Sequence, residues 1–244
     1  MNDVPHYHFE RVSSTNDVAK ELLEGMDCVF VTAEFQYNGR GRKGRIWEGE
    51  SHKNIYMTYG VNETKKKSIA NKMLYQIIGC LAVEKTLSDK VVADRIKIKY
   101  PNDVYVADEM GVYRKISGVL SEHSYSGNVC EESILGIGIN VNQTEFDNVL
   151  SAKATSLKLL GYKSDIEELV ESVKNNLIEL LNDDEAETYE IWKNKVNLVG
   201  KKVVLVSEKS EYIIDALNAD GSLQASNQNG TVTINNGDSI TYEF

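Results

Sequence analysis

Proline is almost missing from these 244 residues, with only Pro5 and Pro101 present, so rigid turns are few and Pro101 marks its own surroundings. Cysteine is nearly as scarce. Cys28, Cys80 and Cys130 lie far apart among apolar or small neighbours with no C-x-x-C spacing, and read as three buried thiols. The four histidines, His6, His8, His52 and His123, show neither H-x-x-x-H nor H-E-x-x-H spacing, so no metal held by the chain itself is expected. No run approaches the ~18 apolar residues of a membrane helix, and the opening Met-Asn-Asp-Val-Pro-His has no positively charged segment with an apolar stretch behind it. Membrane association is thereby disfavoured and a cytoplasmic location expected. Positive charge is also in deficit: 27 Lys and Arg against 37 Asp and Glu leave a net charge of −10 and a pI near 5.0. General nucleic-acid binding needs a basic face, which this composition does not supply.

Against that acidic background one stretch is strongly basic: Gly39-Arg40-Gly41-Arg42-Lys43-Gly44-Arg45, preceded by Gln36 and closed by Trp47. Its glycines let backbone N–H groups turn toward a ligand, and four cations crowd into two turns of chain. The cations should repel one another until a polyanion arrives, and the arginine forks suit carboxylate or phosphate. Gly39 to Gly44 satisfies the dinucleotide pattern G-x-G-x-x-G, but the chain beyond Trp47 opens no amphipathic helix, so that reading is set aside.

The length allows one large domain plus a small one, and 41% hydrophobic content supports a sizeable core. His6 to Val12 reads as a strand. Ser14-Thr15-Asn16 then caps a helix carrying Val18, Ala19, Leu22 and Leu23, with Gly25 as its stop; such a helix start is either simple capping or a polar-ligand site. Val29 to Ala33 is an apolar strand, and Ile55 to Val61 alternates as a half-buried strand should. Ser68 to Leu87 reads as a long amphipathic helix. Ile96 to Val106 makes two strands about a turn in which Pro101 presents Asn102 and Asp103. In the strand opened by Arg114 and Lys115, Gly118 implies close approach to the backbone, as by a flat ligand lying along the strand. Ile134 to Asn142 is a strand with one low, polar face formed by Gly136, Gly138 and Asn140. Helices follow over Ile166 to Leu181 and Glu185 to Asn194, the second with an acidic start. From about Asn197 short strands (Lys202 to Val206, Tyr212 to Ala216, Ser222 to Ala225, Thr231 to Ile234, Ser239 to Phe244) suggest a small β-barrel that leans on the larger domain.

Ser14-Thr15-Asn16, Gln36, the loop Gly39 to Arg45 with Trp47, Lys99-Tyr100-Pro101-Asn102-Asp103, Lys115-Ile116-Ser117-Gly118-Val119-Leu120 and Gly136-Ile137-Gly138-Ile139-Asn140 together resemble biotin protein ligases in order and spacing. The resemblance runs from about residue 9 to the end. It implies an α+β fold: a mixed-sheet catalytic domain over residues 1–196 and an SH3-like β-barrel over 197–244. It implies formation of biotinyl-5′-AMP from biotin and ATP with Mg2+, then transfer to a lysine of a biotin carboxyl carrier domain of a carboxylase such as acetyl-CoA carboxylase.

By the same resemblance Ser14, Thr15, Asn16 and Gln36 hold the polar groups of biotin, with Gly39, Arg40, Gly41 and Arg42 around its carboxylate, Lys115 on the reacting oxygens and Gly118 leaving room for its rings. Arg42, Arg45, Trp47, Asn102, Asp103 and Asn140 border the adenylate. Lys115, Arg42 and Asp103 are the catalytic candidates. Asp103 either takes the proton of the acceptor lysine, whose free pKa is near 10.4, or orients the amine or a metal. The family usually has tryptophan where Tyr100 stands, and the ring's packing role is expected to survive. Only about a dozen residues precede Ser14, so a ligase-only type without a DNA-binding domain, and without specific DNA binding, is expected; a homodimer stays open. Lipoate ligases and octanoyltransferases share the fold and are the enzymatic alternative, and a non-catalytic biotin- or nucleotide-binding module is the alternative from another class.

Overall fold

The computed structural model describes residues 4–66, 69–147 and 150–243. Seven strands form the larger sheet: β1 (His6–Phe9), β2 (Cys28–Ala33), β3 (Asn54–Asn62), β4 (Ile96–Lys99), β5 (Asp103–Ala107), β6 (Tyr113–Ser126) and β7 (Val129–Asn140), in the order β1-β2-β3-β7-β6-β5-β4. β1 pairs with β2 in parallel and every other neighbouring pair is antiparallel, so the sheet is mixed as expected. Val12 lies outside β1 and joins the sheet only through a parallel bridge to Gln36.

Alternation along the central strands decides what covers each face. Phe30, Met57, Tyr59, Leu135, Ile137 and Ile139 point to one side and are buried in the main core. There they meet α2 (Met73–Ser88), with α3 (Ile166–Leu180) and α4 (Glu185–Val196) packed behind it. Gly79 of α2 lies so near the sheet that a Cβ there would sit 2.7 Å from Val119 Cγ1. The opposite face carries α1 (Thr15–Leu23), whose Ala19 and Leu23 pack on Val29, Val31 and Ile134.

Two expectations are corrected here. Ile55 to Val61 is not half-buried: the whole of β3 from Asn54 to Val61 is buried, because helices cover one face and α1 with the site covers the other. The helix placed over Ser68 to Leu87 begins at Met73, Ser68 lies outside the described residues, and α2 is not amphipathic. Wedged between the sheet and two helices, it buries Gln76, Glu84 and Thr86 as well as its apolar residues. Those polar side chains find partners: Glu84 pairs with Lys195 at 2.8 Å, Thr86 accepts from Asn176 at 2.9 Å, and Gln76 donates to the Pro101 carbonyl at 3.5 Å. Of the cysteines only Cys80 is fully buried; Cys28 and Cys130 are partly exposed, and all three are unbonded.

The C-terminal segment forms a second, antiparallel sheet of β8 (Lys202–Leu205), β9 (Ser210–Leu217), β10 (Leu223–Asn227), β11 (Gly230–Ile234) and β12 (Ile240–Thr241), in the order β11-β10-β9-β8-β12. The strand expected to reach Phe244 ends at Thr241, and Phe244 lies outside the described residues. The apolar core is continuous from α2 through Tyr100 and Trp192 to Val203, Ile214 and Leu223. Tyr100 keeps the packing role expected of it, buried with its ring 6.3 Å from that of Trp192. Its hydroxyl adds an anchor, donating to the Gly221 carbonyl at 2.5 Å. Burial pushes that hydroxyl's pKa up to about 12, which keeps the donor protonated.

Candidate active site

A cavity of about 280 Å³ opens on the α1 face, at the end of the sheet where β3 begins and β7 finishes. Small residues make the room for it. Gly118, Gly136 and Gly138 line it, and a side chain at Gly136 would collide with Asn16, while one at Gly138 would collide with the indole of Trp47. At Gly118 a Cβ would stand 2.9 Å from Trp47 Cζ3 and 3.0 Å from Lys115 Nζ. Where a flat ligand was expected against Gly118, the structure places the chain's own Trp47, whose indole lies on Gly118 and Gly138. Its Nε1–H is buried without a hydrogen-bond partner, so the roof of the cavity holds an unused donor.

The floor is a polar cluster at the start of α1. Ser14 caps the helix, its Oγ accepting from Asn16 N at 3.3 Å. Thr15 donates from both N and Oγ1 to Gln36 Oε1, at 2.7 and 3.0 Å, and Thr58 Oγ1 lies 2.8 Å from Thr15 Oγ1 and 2.7 Å from Asn16 Oδ1. Asn16 donates its amide to Glu122 Oε2 at 2.6 Å. These groups hold one another in fixed orientations at a helix N-terminus, where further acceptors are favoured.

The glycine loop folds back on itself, with Gly41 N donating to Arg45 O at 2.7 Å and Trp47 N to Gly39 O at 2.9 Å. Lys43 (φ 56°) and Gly44 (φ 70°) are left-handed and make the reversal. Gly39 does not line the cavity; it is packed under the Trp47 backbone, with a would-be Cβ 2.7 Å from Trp47 O. The repulsion expected among the four cations is relieved by Asn102 and by groups that sequence reading did not assign. Arg40 is held bidentately by Asp17 at 2.8 and 2.6 Å, with Glu122 3.6 Å away. The hydrogen bond from Arg40 holds the Asp17 carboxyl below its usual range. Arg42 donates to Asn102 and Asn236, each at 3.1 Å, and Arg45 pairs with Asp238.

On the far wall Lys115 Nζ is 2.7 Å from Asp103 Oδ1 and 5.3 Å from the Trp47 ring centre. Asn102 is fixed by donating to the Val119 carbonyl at 2.8 Å, and Asn140 is fixed by donating to the Thr155 carbonyl at 3.0 Å. The nearby Lys99 ammonium lies over Tyr105 and Tyr242, and burial lowers its pKa. The structure thus brings all the expected site residues except Gly39 to one cavity. It adds others: Phe146, Leu150 and Lys153 from the segment after β7, and Asp238 from the second sheet. Lys153 arrives because segment 153–155 pairs with β6, Lys115 N donating to Lys153 O and Thr155 N to Lys115 O, both at 2.8 Å. Phe146 and Leu150, apolar residues in the largely polar stretch 142–153, were the sequence signal for that wall. Among the described residues no group of three His, Cys, Asp or Glu side chains is arranged to hold a metal, and no helix is long and apolar enough to cross a membrane.

Residues 8–140, more than half of the chain, match the model of the biotin/lipoate A/B protein ligase family. The fold is similar to that of a biotin protein ligase from Aquifex aeolicus in complex with biotin and ATP, with a TM-score of 0.74, 25% identity and 97% of each chain covered. The sequence is 28% identical over 206 residues to the bifunctional ligase/repressor BirA of Salmonella typhimurium, covering 80% of this chain and 60% of that protein. It is 30% identical over 138 residues to a biotin–[acetyl-CoA-carboxylase] ligase of Paracoccus denitrificans, covering 54% of this chain and 52% of that one. The chain thus spans a little over half the length of these curated relatives.

Proposed function

Since the chain belongs to the biotin/lipoate A/B protein ligase family, we propose that it is an ATP-dependent biotin protein ligase. A carboxylate oxygen of biotin attacks the α-phosphorus of ATP and pyrophosphate leaves. The Nζ of an acceptor lysine then attacks the acyl carbon of biotinyl-5′-AMP, AMP leaves, and the amine's proton passes to a base. The observation that carries this reading is the convergence, in one cavity, of a polar helix start, an arginine loop and the Lys115–Asp103 pair.

Each part answers a need of that chemistry. Bringing a carboxylate to a phosphate sets anion against anion, and Lys115, Arg40 and Arg42 supply cations where charge concentrates in the transition state. Ser14, Thr15, Asn16 and Gln36 are pre-oriented donors and acceptors for the polar end of biotin. Trp47, with its unused N–H, together with Phe146 and Leu150, offers an apolar wall with a single donor for the adenylate. Mg2+ would come with the nucleotide; such ions are held mainly by phosphate oxygens and water with one or two carboxylates, and Asp103 is the carboxylate on this wall. Asp103 either takes the proton from the acceptor amine or orients it. Its ion pair with Lys115 links the group for the second step to the group for the first.

The partner on this reading is the carrier domain of a biotin-dependent carboxylase, and the site of action is the cytoplasm. Specific DNA binding is not expected, since the chain is acidic and its glycine loop is committed to the cavity. The two units, 1–196 for chemistry and 197–244 as an SH3-like barrel, are proposed to act together. Incubation with biotin, MgATP and a carrier domain, read by intact mass, tests the function. A gain of one biotinyl group on the carrier lysine is expected; a gain only when lipoate replaces biotin would transfer the chain to the lipoate branch of the family.

A further inference from the structure

The second sheet reaches the cavity through one short segment, the turn Gly237–Ser239, which Asn236 caps by accepting from Asp238 N at 3.0 Å. Gly237 sits so close to Tyr100 and Pro101 that any side chain there would strike both. The turn is thereby seated on the same strand connection that presents Asn102 and Asp103. From that seat Asn236 takes a hydrogen bond from Arg42, and Asp238 pairs with Arg45, with Lys43 Nζ 3.9 Å away. Asp238 Oδ2 is sealed from solvent and has no hydrogen bond. Burial raises the pKa of Asp238, but the hydrogen bond from Arg45 and the charges of Arg45, Arg42 and Lys43 outweigh it and hold the carboxyl below its usual range. One carboxylate from the C-terminal sheet therefore faces three of the four cations of a loop built to receive an anion.

We propose that Asp238 is a resident anion, standing at the glycine loop in place of the polyphosphate of the incoming nucleotide and displaced by it. Naming the ligand as nucleoside triphosphate rests on the ligase reading above; the exchange itself concerns polyphosphate and needs no catalysis. A phosphate chain offers these cations more acceptor oxygens than one carboxylate with an unused oxygen can. Removing the carboxylate's charge while keeping its shape leaves the loop more positive, so anions should bind more tightly. Arg45 and Lys43 are largely exposed, with 63% and 54% of their side-chain surface open, so solvent moderates the effect. The resident carboxylate sets how readily the loop accepts phosphate.

The test is tripolyphosphate binding by titration calorimetry, without biotin, to the parent and to Asp238→Asn. The variant is expected to bind roughly 3- to 10-fold more tightly, with KM for MgATP falling by a similar factor and KM for biotin unchanged. Asp215→Asn removes the same charge from β9, where Asp215 accepts from Ser226 on the outside of the second sheet, and should match the parent. Should Asp238→Asn fail to fold, Asp238→Ser carries the same measurement. Unchanged or weaker tripolyphosphate binding would overturn the proposal, weaker binding meaning that the carboxylate helps hold the nucleotide or its metal. Tighter tripolyphosphate binding without any biotin-dependent pyrophosphate release would uphold the exchange and sink the ligase reading.

Discussion

The two faces of β3, β7 and β6 are made from alternate residues of the same strands, yet they do opposite work. Under α2 lie Met57, Tyr59, Leu135, Ile137 and Ile139, all buried and apolar. On the other side the same strands present Thr58, Gly60, Gly136, Gly138 and Asn140, with Gly118 beside them. One face is filled to exclude water, and the other is emptied so that Asn16, Trp47 and a ligand can sit down on backbone. Stability and chemistry are thus separated by a single residue step, which makes the separation testable.

The largest effect should come from the filled face. Leu135→Ala removes a fully buried side chain and should cost about 2–5 kcal/mol, lowering Tm by roughly 2–4 °C for each kcal/mol. The folded fraction should keep the parent's KM values; a shifted KM would mean that the faces are mechanically coupled. Lys115→Ala, from the other face, should slow pyrophosphate release at saturating biotin by about 10², or ~2.7 kcal/mol, with Tm nearly unmoved. A rate within a factor of a few of the parent would remove Lys115 from the chemistry. Arg42→Gly should loosen the hold on the adenylate, since a charged hydrogen bond contributes roughly 1.5–3 kcal/mol. Adenylate escaping into solution, measured without carrier protein, should rise accordingly, and equal escape would show that the loop does not retain it.

The smallest effect belongs to the filled face at its far end, where His123 Nδ1 lies 2.9 Å from Ser133 Oγ and the ring stands beside Tyr75. Burial first, then Lys72, lower the His123 pKa, with Glu63 and Glu122 opposing. The folded state therefore binds this proton less readily than the unfolded chain does, so the group costs stability as pH falls below about 6.5. A Tm drop of a few degrees between pH 7.5 and 5.5 should shrink in His123→Gln. An identical drop in both proteins would assign the pH dependence to other groups.

Much of this division was legible in the sequence where the backbone itself was under constraint. Gly118, Gly136 and Gly138, the Pro101 turn and the Ser14 cap are local demands, and each landed where its residues indicated. Asp17, Glu122 and Asp238 were not legible, because a carboxylate that neutralises an arginine across 23, 82 or 193 positions leaves no mark in its own neighbourhood. The burial of α2 was hidden for a similar reason. Gln76, Glu84 and Thr86 look like a solvent face until Pro101, Lys195 and Asn176 are brought beside them.

The alternation in β7 also guards against its own misassembly. Strand pairings can err by one residue, and in many sheets such a slip leaves a tolerable isomer. Here a slipped β7 would push Leu135, Ile137 and Ile139 into the seats of Asn16 and Trp47 while offering Gly136 and Gly138 to α2. Core and cavity would be lost in the same error. A chain that has acquired its binding cavity has, by that fact, passed a proofreading step on the register of its central strand.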